Sequence, residues 1–238
     1  MANPKIFSTK KLDPALAAAA RQHLELAEAD AIAIELIRTT EKEAELKARL
    51  QTANLDVAFT SAHAAEAIKP FINDGALGWN IFCLQGKTRE TLMQPGFQAI
   101  GTIRGTATDA AQLAEAIIDH GVERLVFFCG DRRRDELPQI VRSAGISVEE
   151  AVVYRTVEIP VYCDGPYDGL LFFSPSAVHS FFSSNRPDGN TVCFALGATT
   201  AAALSSATPN RIVTANEPSQ QAMLDAVTHY FDQTNNNK

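Results

Sequence analysis

Apolar positions in this chain recur in two periods. Short runs are rich in β-branched and aromatic residues, and longer runs space their apolar residues three or four apart. Ile6-Phe7-Ser8-Thr9 reads as a strand and Pro14 to Leu26 as an Ala-rich helix, with Asp13 placed to cap it and Pro14 at its first position. Ala31 to Ile37 alternates around Ile32, Ile34 and Leu36 without a following turn signal. The pattern then becomes regular. Helices are predicted over Lys42 to Gln51, Ala64 to Ile72, Thr88 to Met93, Ala110 to His120 and Asp135 to Ser143. Between them lie strands over Val57 to Phe59, Asn80 to Leu84, Ala99 to Ile103 and Leu125 to Cys129. A second long extended run, Val152 to Ile159, precedes strands over Leu170 to Phe173, Val192 to Ala195 and Ile212 to Ala215. Helices over Ala177 to Phe182, Thr200 to Leu204 and Ser219 to Phe231 follow those strands in turn. Strict β/α alternation at this spacing means a parallel sheet covered on both faces. The polar, Asn-rich end, 232–238, reads as a disordered tail.

A weak internal repeat divides the chain. Phe59-Thr60-Ser61-Ala62 and Phe173-Ser174-Pro175-Ser176 each end a strand with hydroxyls ahead of a helix. One β/α step later, Gly86-Lys87-Thr88 and Gly197-Ala198-Thr199-Thr200 do the same. Matching loops in two halves point to two similar α/β domains, one interrupting the other. The expected layout is a first domain over 1–30 and 161–231, a second over 39–150, and two crossings over 31–38 and 151–160.

Composition narrows the function classes. The 238 residues suit one large domain or two small ones, and 46% hydrophobic with 21% charged residues is an ordinary globular balance. Net charge is -7, and no Lys/Arg stripe opposes it apart from Arg132-Arg133-Arg134. Nucleic acid and anionic membrane are therefore not expected as partners. Cys83, Cys129, Cys163 and Cys193 are widely spaced, which is reduced, cytoplasmic usage rather than a disulfide frame or zinc site. The opening residues carry no export signal, and no uninterrupted apolar run reaches the ~18 residues of a membrane span.

Ligands of open parallel sheets bind beyond the carboxyl ends of the strands. The Ser/Thr loops lie there, at helix starts whose backbone N–H groups suit carboxylate or phosphate. Ser and Thr are equally good helix N-caps, a role that needs no ligand. Gly86-Lys87-Thr88 resembles the end of a phosphate-binding P-loop, but Ile81 stands where its first glycine belongs. No G-x-G-x-x-G occurs, and the five histidines show no H-x-x-x-H spacing. Arg132-Arg133-Arg134 reads either as a solvated face paired with Asp131, Asp135 and Glu136, or as a donor to an acidic ligand. Tyr154, on the second crossing, carries a phenol able to donate a proton at neutral pH; packing at a domain junction is the alternative.

Six segments together resemble the uroporphyrinogen-III synthase family. They are Ile6-Phe7-Ser8-Thr9, Phe59-Thr60-Ser61, Gly130 to Pro138, Val153-Tyr154-Arg155-Thr156, Phe172 to Val178, and Leu196-Gly197-Ala198-Thr199-Thr200-Ala201. The resemblance implies two flavodoxin-like parallel-sheet α/β domains joined by a two-stranded β connector, with the active site in the interdomain cleft. It implies cyclisation of hydroxymethylbilane to uroporphyrinogen III with inversion of the terminal pyrrole ring, through a spiro intermediate. No metal and no organic cofactor are implied. Tyr154 would be the general acid, while Thr60, Ser61, Thr88, Arg134, Ser174, Ser176, Gly197 and Thr200 would bind the substrate carboxylates. The expected partners are that small molecule and, in transient handover, the hydroxymethylbilane synthase that makes it; the protein itself is expected to be a cytoplasmic monomer. Two positions depart from the family pattern: Gln85 stands where a glycine is usual, with Gly86 beside it, and His63 stands where Asn or Arg is common. A non-catalytic two-domain binding protein for a small anion is the second reading of the same loops.

Overall fold

The chain enters through β1 (Lys5–Ser8), α1 (Pro14–Ala20) and β2 (Glu25–Glu28), as described by a computed structural model covering residues 3–72, 77–97 and 99–236. It then runs through β3 (Ile32–Leu36), α2 (Thr40–Arg49), β4 (Asp56–Phe59), α3 (Ala62–Ile68) and a 3₁₀ turn (Lys69–Phe71). Next come β5 (Trp79–Leu84), α4 (Lys87–Leu92), β6 (Gly101–Ala107), α5 (Ala110–Asp119), β7 (Arg124–Gly130), α6 (Glu136–Ser143) and β8 (Ser147–Glu158). The last segment holds β9 (Gly169–Phe172), α7 (Pro175–Ser184), β10 (Val192–Ala195), α8 (Ala198–Ala207), β11 (Ile212–Thr214) and α9 (Gln220–Asn236).

These elements form two units, Met1–Ala33 with Val157–Lys238, and Ile34–Thr156. The chain thus passes between them within β3 and again within β8. Ile37 N–H donates to the Val153 carbonyl at 3.1 Å and Ile159 N–H to the Ala31 carbonyl at 2.9 Å, so the two crossing strands run antiparallel.

The first unit has sheet order β11-β10-β9-β1-β2, every pair parallel. In chain order that is 2-1-3-4-5, the flavodoxin arrangement, reversing between β1 and β9. The second sheet runs β3-β8-β7-β4-β5-β6. Its parallel part takes the other doubly wound order, 3-2-1-4-5, which reverses between β4 and β7. At each reversal the flanking helices pack on opposite faces, the arrangement in which open parallel sheets bind ligands at the strand ends.

Each sheet is buried on both sides because consecutive strand residues point to opposite faces. In the second unit Phe128 joins Phe59, Trp79 and Val153 on one face, while Phe127 joins Phe82, Leu113 and Leu137 on the other. In the first, Leu170 and Phe172 pack with Phe181, while Leu171 packs with Ile6 and Phe194. No described helix is long and apolar enough to cross a membrane.

Several boundaries differ from the expectation. The Ala-rich helix capped by Asp13 stops at Ala20, and Glu25–Glu28 pairs in parallel with β1 as an edge strand. Strand β6 extends to Ala107 through Gly101 and Gly105, residues of low strand propensity held by the ladder to β5. Helix α9 continues past Phe231 to Asn236, through most of the segment expected to be a tail, of which 237 and 238 lie outside the described residues.

Candidate active site

The second unit builds its site at the β4/β7 reversal. β4 ends at Phe59, and Thr60 and Ser61 turn the chain into α3, whose N-terminus Ser61 caps by accepting the His63 N–H at 3.2 Å. Next to it β7 ends in Gly130. Strand β8 pairs with β7 in simple register until Cys129↔Val152, then slips by one residue so that Gly130 faces Tyr154. Such a bulge re-aims the following side chain. Here it puts Tyr154 on the same face of the sheet as Val153, against the core that holds Phe59 and Phe128.

The Tyr154 ring lies directly on Gly130. A β-carbon at that glycine would fall 2.4 Å from Cε2 and Cζ and 2.8 Å from the phenol oxygen. The His63 ring meets the Tyr154 ring edge-on with centroids 5.8 Å apart, and His63 Nδ1 is 3.4 Å from Glu66. Asp131 ties the far end of the strand: its carboxylate accepts the Thr156 N–H at 2.9 Å, and its N–H donates to the Tyr154 carbonyl at 3.1 Å. Burial pushes the phenol above its ordinary range, hydrogen bonding with the Ser61 side chain draws it part of the way back, and Cys129 and Asp131 add to the rise. The phenol is therefore neutral at physiological pH and carries the proton a general acid needs.

The remaining second-unit candidates divide. Thr60 is half-buried at the end of β4. Thr88 is buried in the first turn of α4, at the end of the adjacent strand β5. Gly86 precedes that helix at φ 69°, a left-handed conformation that accounts for glycine here beside Gln85. Of the three arginines, Arg133 is drawn into ion pairs with Asp135 and Glu150, and Arg142 adds a further bond to Glu150 at 2.8 Å. Arg134 is exposed in the loop between β7 and α6.

In the first unit the candidates gather at the ends of neighbouring strands β9 and β10. Ser174 caps α7 by accepting the Ala177 N–H at 3.2 Å, with Ser176 half-buried in the first turn. Gly197 stands at the N-cap of α8 without a side-chain cap, and Thr200 is buried in its first turn. Both serines at the β4 and β9 ends thus serve as caps, while Thr88 and Thr200 do not. Three residues that sequence reasoning passed over belong to these surroundings. Gly130 and Asp131 fix the tyrosine, and the slip in register that brings Gly130 opposite Tyr154 leaves no signal in the sequence. Lys10, at the end of β1, holds its ammonium 6.0 Å over the Phe173 ring beside the Ser174 loop.

A cavity of about 810 Å³ in the second unit, lined by Arg49, Asp56, Arg124 and Glu149, sits at the opposite, amino end of the strands and touches none of these residues.

The family model described as Uroporphyrinogen-III synthase HemD matches residues 18–225. The chain belongs to the uroporphyrinogen-III synthase family. Solved structures agree on the fold. A uroporphyrinogen-III synthetase from Helicobacter pylori is 16% identical with a TM-score of 0.66, covering 95% of this chain and 99% of its own. A mutant uroporphyrinogen III synthase from the extremely thermophilic bacterium Thermus thermophilus is 15% identical with a TM-score of 0.63, covering 98% and 99%. No curated protein matches the sequence. As a synthase family member the chain acts in porphyrin biosynthesis on a small tetrapyrrole substrate.

Proposed function

We propose that this protein cyclises hydroxymethylbilane to uroporphyrinogen III and releases water, the reaction of a cyclising hydro-lyase. The observation that carries the reading is the neutral phenol of Tyr154, seated on Gly130 at the carboxyl edge of the second sheet, in a chain of the synthase family. The proton of Tyr154 passes to the hydroxymethyl oxygen as the C–O bond breaks, leaving an azafulvene cation, water and a phenolate. The cation is attacked by the substituted position of the terminal pyrrole. The spiro intermediate then fragments and recloses with that ring inverted. Reclosure releases one proton, and the phenol recovers one before the next turnover, so that the net change is loss of water.

The uncatalysed bilane closes without inversion, so holding the chain in one geometry is the larger part of the task. Carboxylates are received by helix starts and hydroxyls: Thr60, Thr88 and Arg134 in one unit, Ser174, Ser176, Gly197 and Thr200 in the other. The backbone N–H groups ahead of α7 and α8 add oriented donors without a basic surface. The protein works as a monomer in the cytoplasm and takes its labile substrate from hydroxymethylbilane synthase; four unpaired cysteines, three of them buried, support the reduced compartment.

The test is to generate hydroxymethylbilane in place and separate uroporphyrin isomers I and III after oxidation. Type III made in proportion to this protein supports the proposal, and type I at the uncatalysed rate overturns it. No observation favours the anion-binding alternative.

A further inference from the structure

We propose that His63, held against Tyr154 at the start of α3, is the base that takes the proton released when the macrocycle closes and returns it to the tyrosine. The inference rests on the synthase reading, which it deepens by naming a second proton-carrying group of the same site. Loss of water from the bilane takes a hydroxyl from one end and a hydrogen from the other. The hydroxyl leaves the hydroxymethyl carbon, and the hydrogen leaves the unsubstituted α-carbon of the terminal pyrrole. An acid serves the first event, and the second calls for a base at a different atom.

His63 has the surroundings of such a base. It lies in the first turn of α3, where its backbone N–H donates to Ser61 Oγ at 3.2 Å. Its side chain stays 44% exposed, open to a ligand. Nδ1 is 3.4 Å from a carboxylate oxygen of Glu66, one turn farther along the helix. A carboxylate there keeps the ring proton on Nδ1 and leaves the lone pair on Nε2, at the far side of the ring. The imidazole meets the Tyr154 ring edge-on, with centroids 5.8 Å apart and planes inclined at 67°.

As the C–O bond breaks, its electron pair stays with oxygen, which takes the Tyr154 proton and departs as water. Once the terminal ring has inverted and reclosed, the C–H bond at the closing carbon breaks. Its electron pair restores the pyrrole, and its proton goes to His63 Nε2. Phenols are far weaker acids than imidazolium ions, and burial weakens this one further, so the proton then passes to the Tyr154 phenolate. That transfer returns both side chains to their starting states.

His63→Asn keeps a polar group near the place of Nδ1 and lacks Nε2, while His63→Ala removes the ring. Both are assayed beside the wild-type protein with bilane carrying hydrogen or deuterium at the unsubstituted α-carbon. Expected are a kcat for the type III isomer lower by about 10²-fold in each variant, an unchanged KM, and a variant rate that falls further on deuteration. Glu66→Gln should lower kcat in the wild-type protein and add nothing to His63→Asn. A normal kcat in His63→Asn overturns the inference. So does a raised KM at unchanged kcat, which makes His63 a substrate ligand, or a lowered kcat indifferent to deuterium, which makes its role structural. In each of those results the wild-type protein still makes type III; wild-type protein that makes none overturns the synthase reading itself, and the inference with it.

Discussion

Replacing Gly130 by alanine tests whether the seat of the tyrosine matters to catalysis. The new β-carbon would lie 2.4 Å from Tyr154 Cε2 and Cζ, whereas carbons in contact sit ~3.5–4.0 Å apart. The ring must therefore withdraw by roughly 1 Å or more. The blocked atoms are the far end of a side chain and not backbone. The cost in folding stability should thus fall at the low end for overpacking, about 1 kcal/mol. The cost in rate is larger, because a displacement of about 1 Å from productive geometry costs on the order of 10²-fold. Initial rates of type III formation, read beside thermal unfolding, give both numbers. Gly189→Ala is the control: that glycine has nothing within 4 Å of an added β-carbon. A Gly130→Ala protein with the normal rate would refute the claim that the ring's position on Gly130 sets the reactivity of Tyr154.

Four further outcomes are expected. Tyr154→Phe should lower kcat by ~10²–10⁴-fold and leave residual turnover from positioning alone; an unchanged rate would remove the tyrosine from the chemistry. Because burial raises the phenol above its ordinary 10.0, activity should persist below that value and fall as pH rises through the shifted one, a limb that the pH–rate profile of Tyr154→Phe should lack. Burial alone would raise the Glu150 carboxyl, but bonds from Arg142 and Arg133 outweigh it and hold the carboxyl below 4.5. Its stabilisation is thus present above 4.5 and lost as pH falls through the lowered value, and Glu150→Gln should cost about 1 kcal/mol in denaturant unfolding at neutral pH and less in acid. Burial pushes the Cys83, Cys129 and Cys163 thiols up to about 11 and Cys193 up to about 12, so a disulfide reagent should leave the folded protein's thiols largely unmodified until denaturant is added.

The β/α rhythm was readable because parallel strands buried on both faces leave short apolar runs such as Val192 to Ala195, bracketed by turn residues. It failed at the sheet edges. Glu25-Leu26-Ala27-Glu28 has helix-forming residues, yet pairing with β1 makes it a strand. The charged start of β8, Ser147 to Glu150, shows no apolar run, and only its ladder to β7 reveals it. The site was legible to the same depth. Thr60, Ser61 and Tyr154 carry their chemistry in their side chains, so sequence reasoning reached them. The seat of Tyr154 depends on a one-residue slip in register, and Gly130 contributes only the absence of a side chain. Neither has a sequence signature apart from the fold that juxtaposes them.

The most direct test of the account remains the fate of hydroxymethylbilane. Supplied as it forms, with the purified protein present, the bilane should emerge predominantly as uroporphyrinogen III at a rate proportional to protein, and Tyr154→Phe should return the product toward isomer I. Isomer I alone, formed at the uncatalysed rate in the presence of folded wild-type protein, would contradict it.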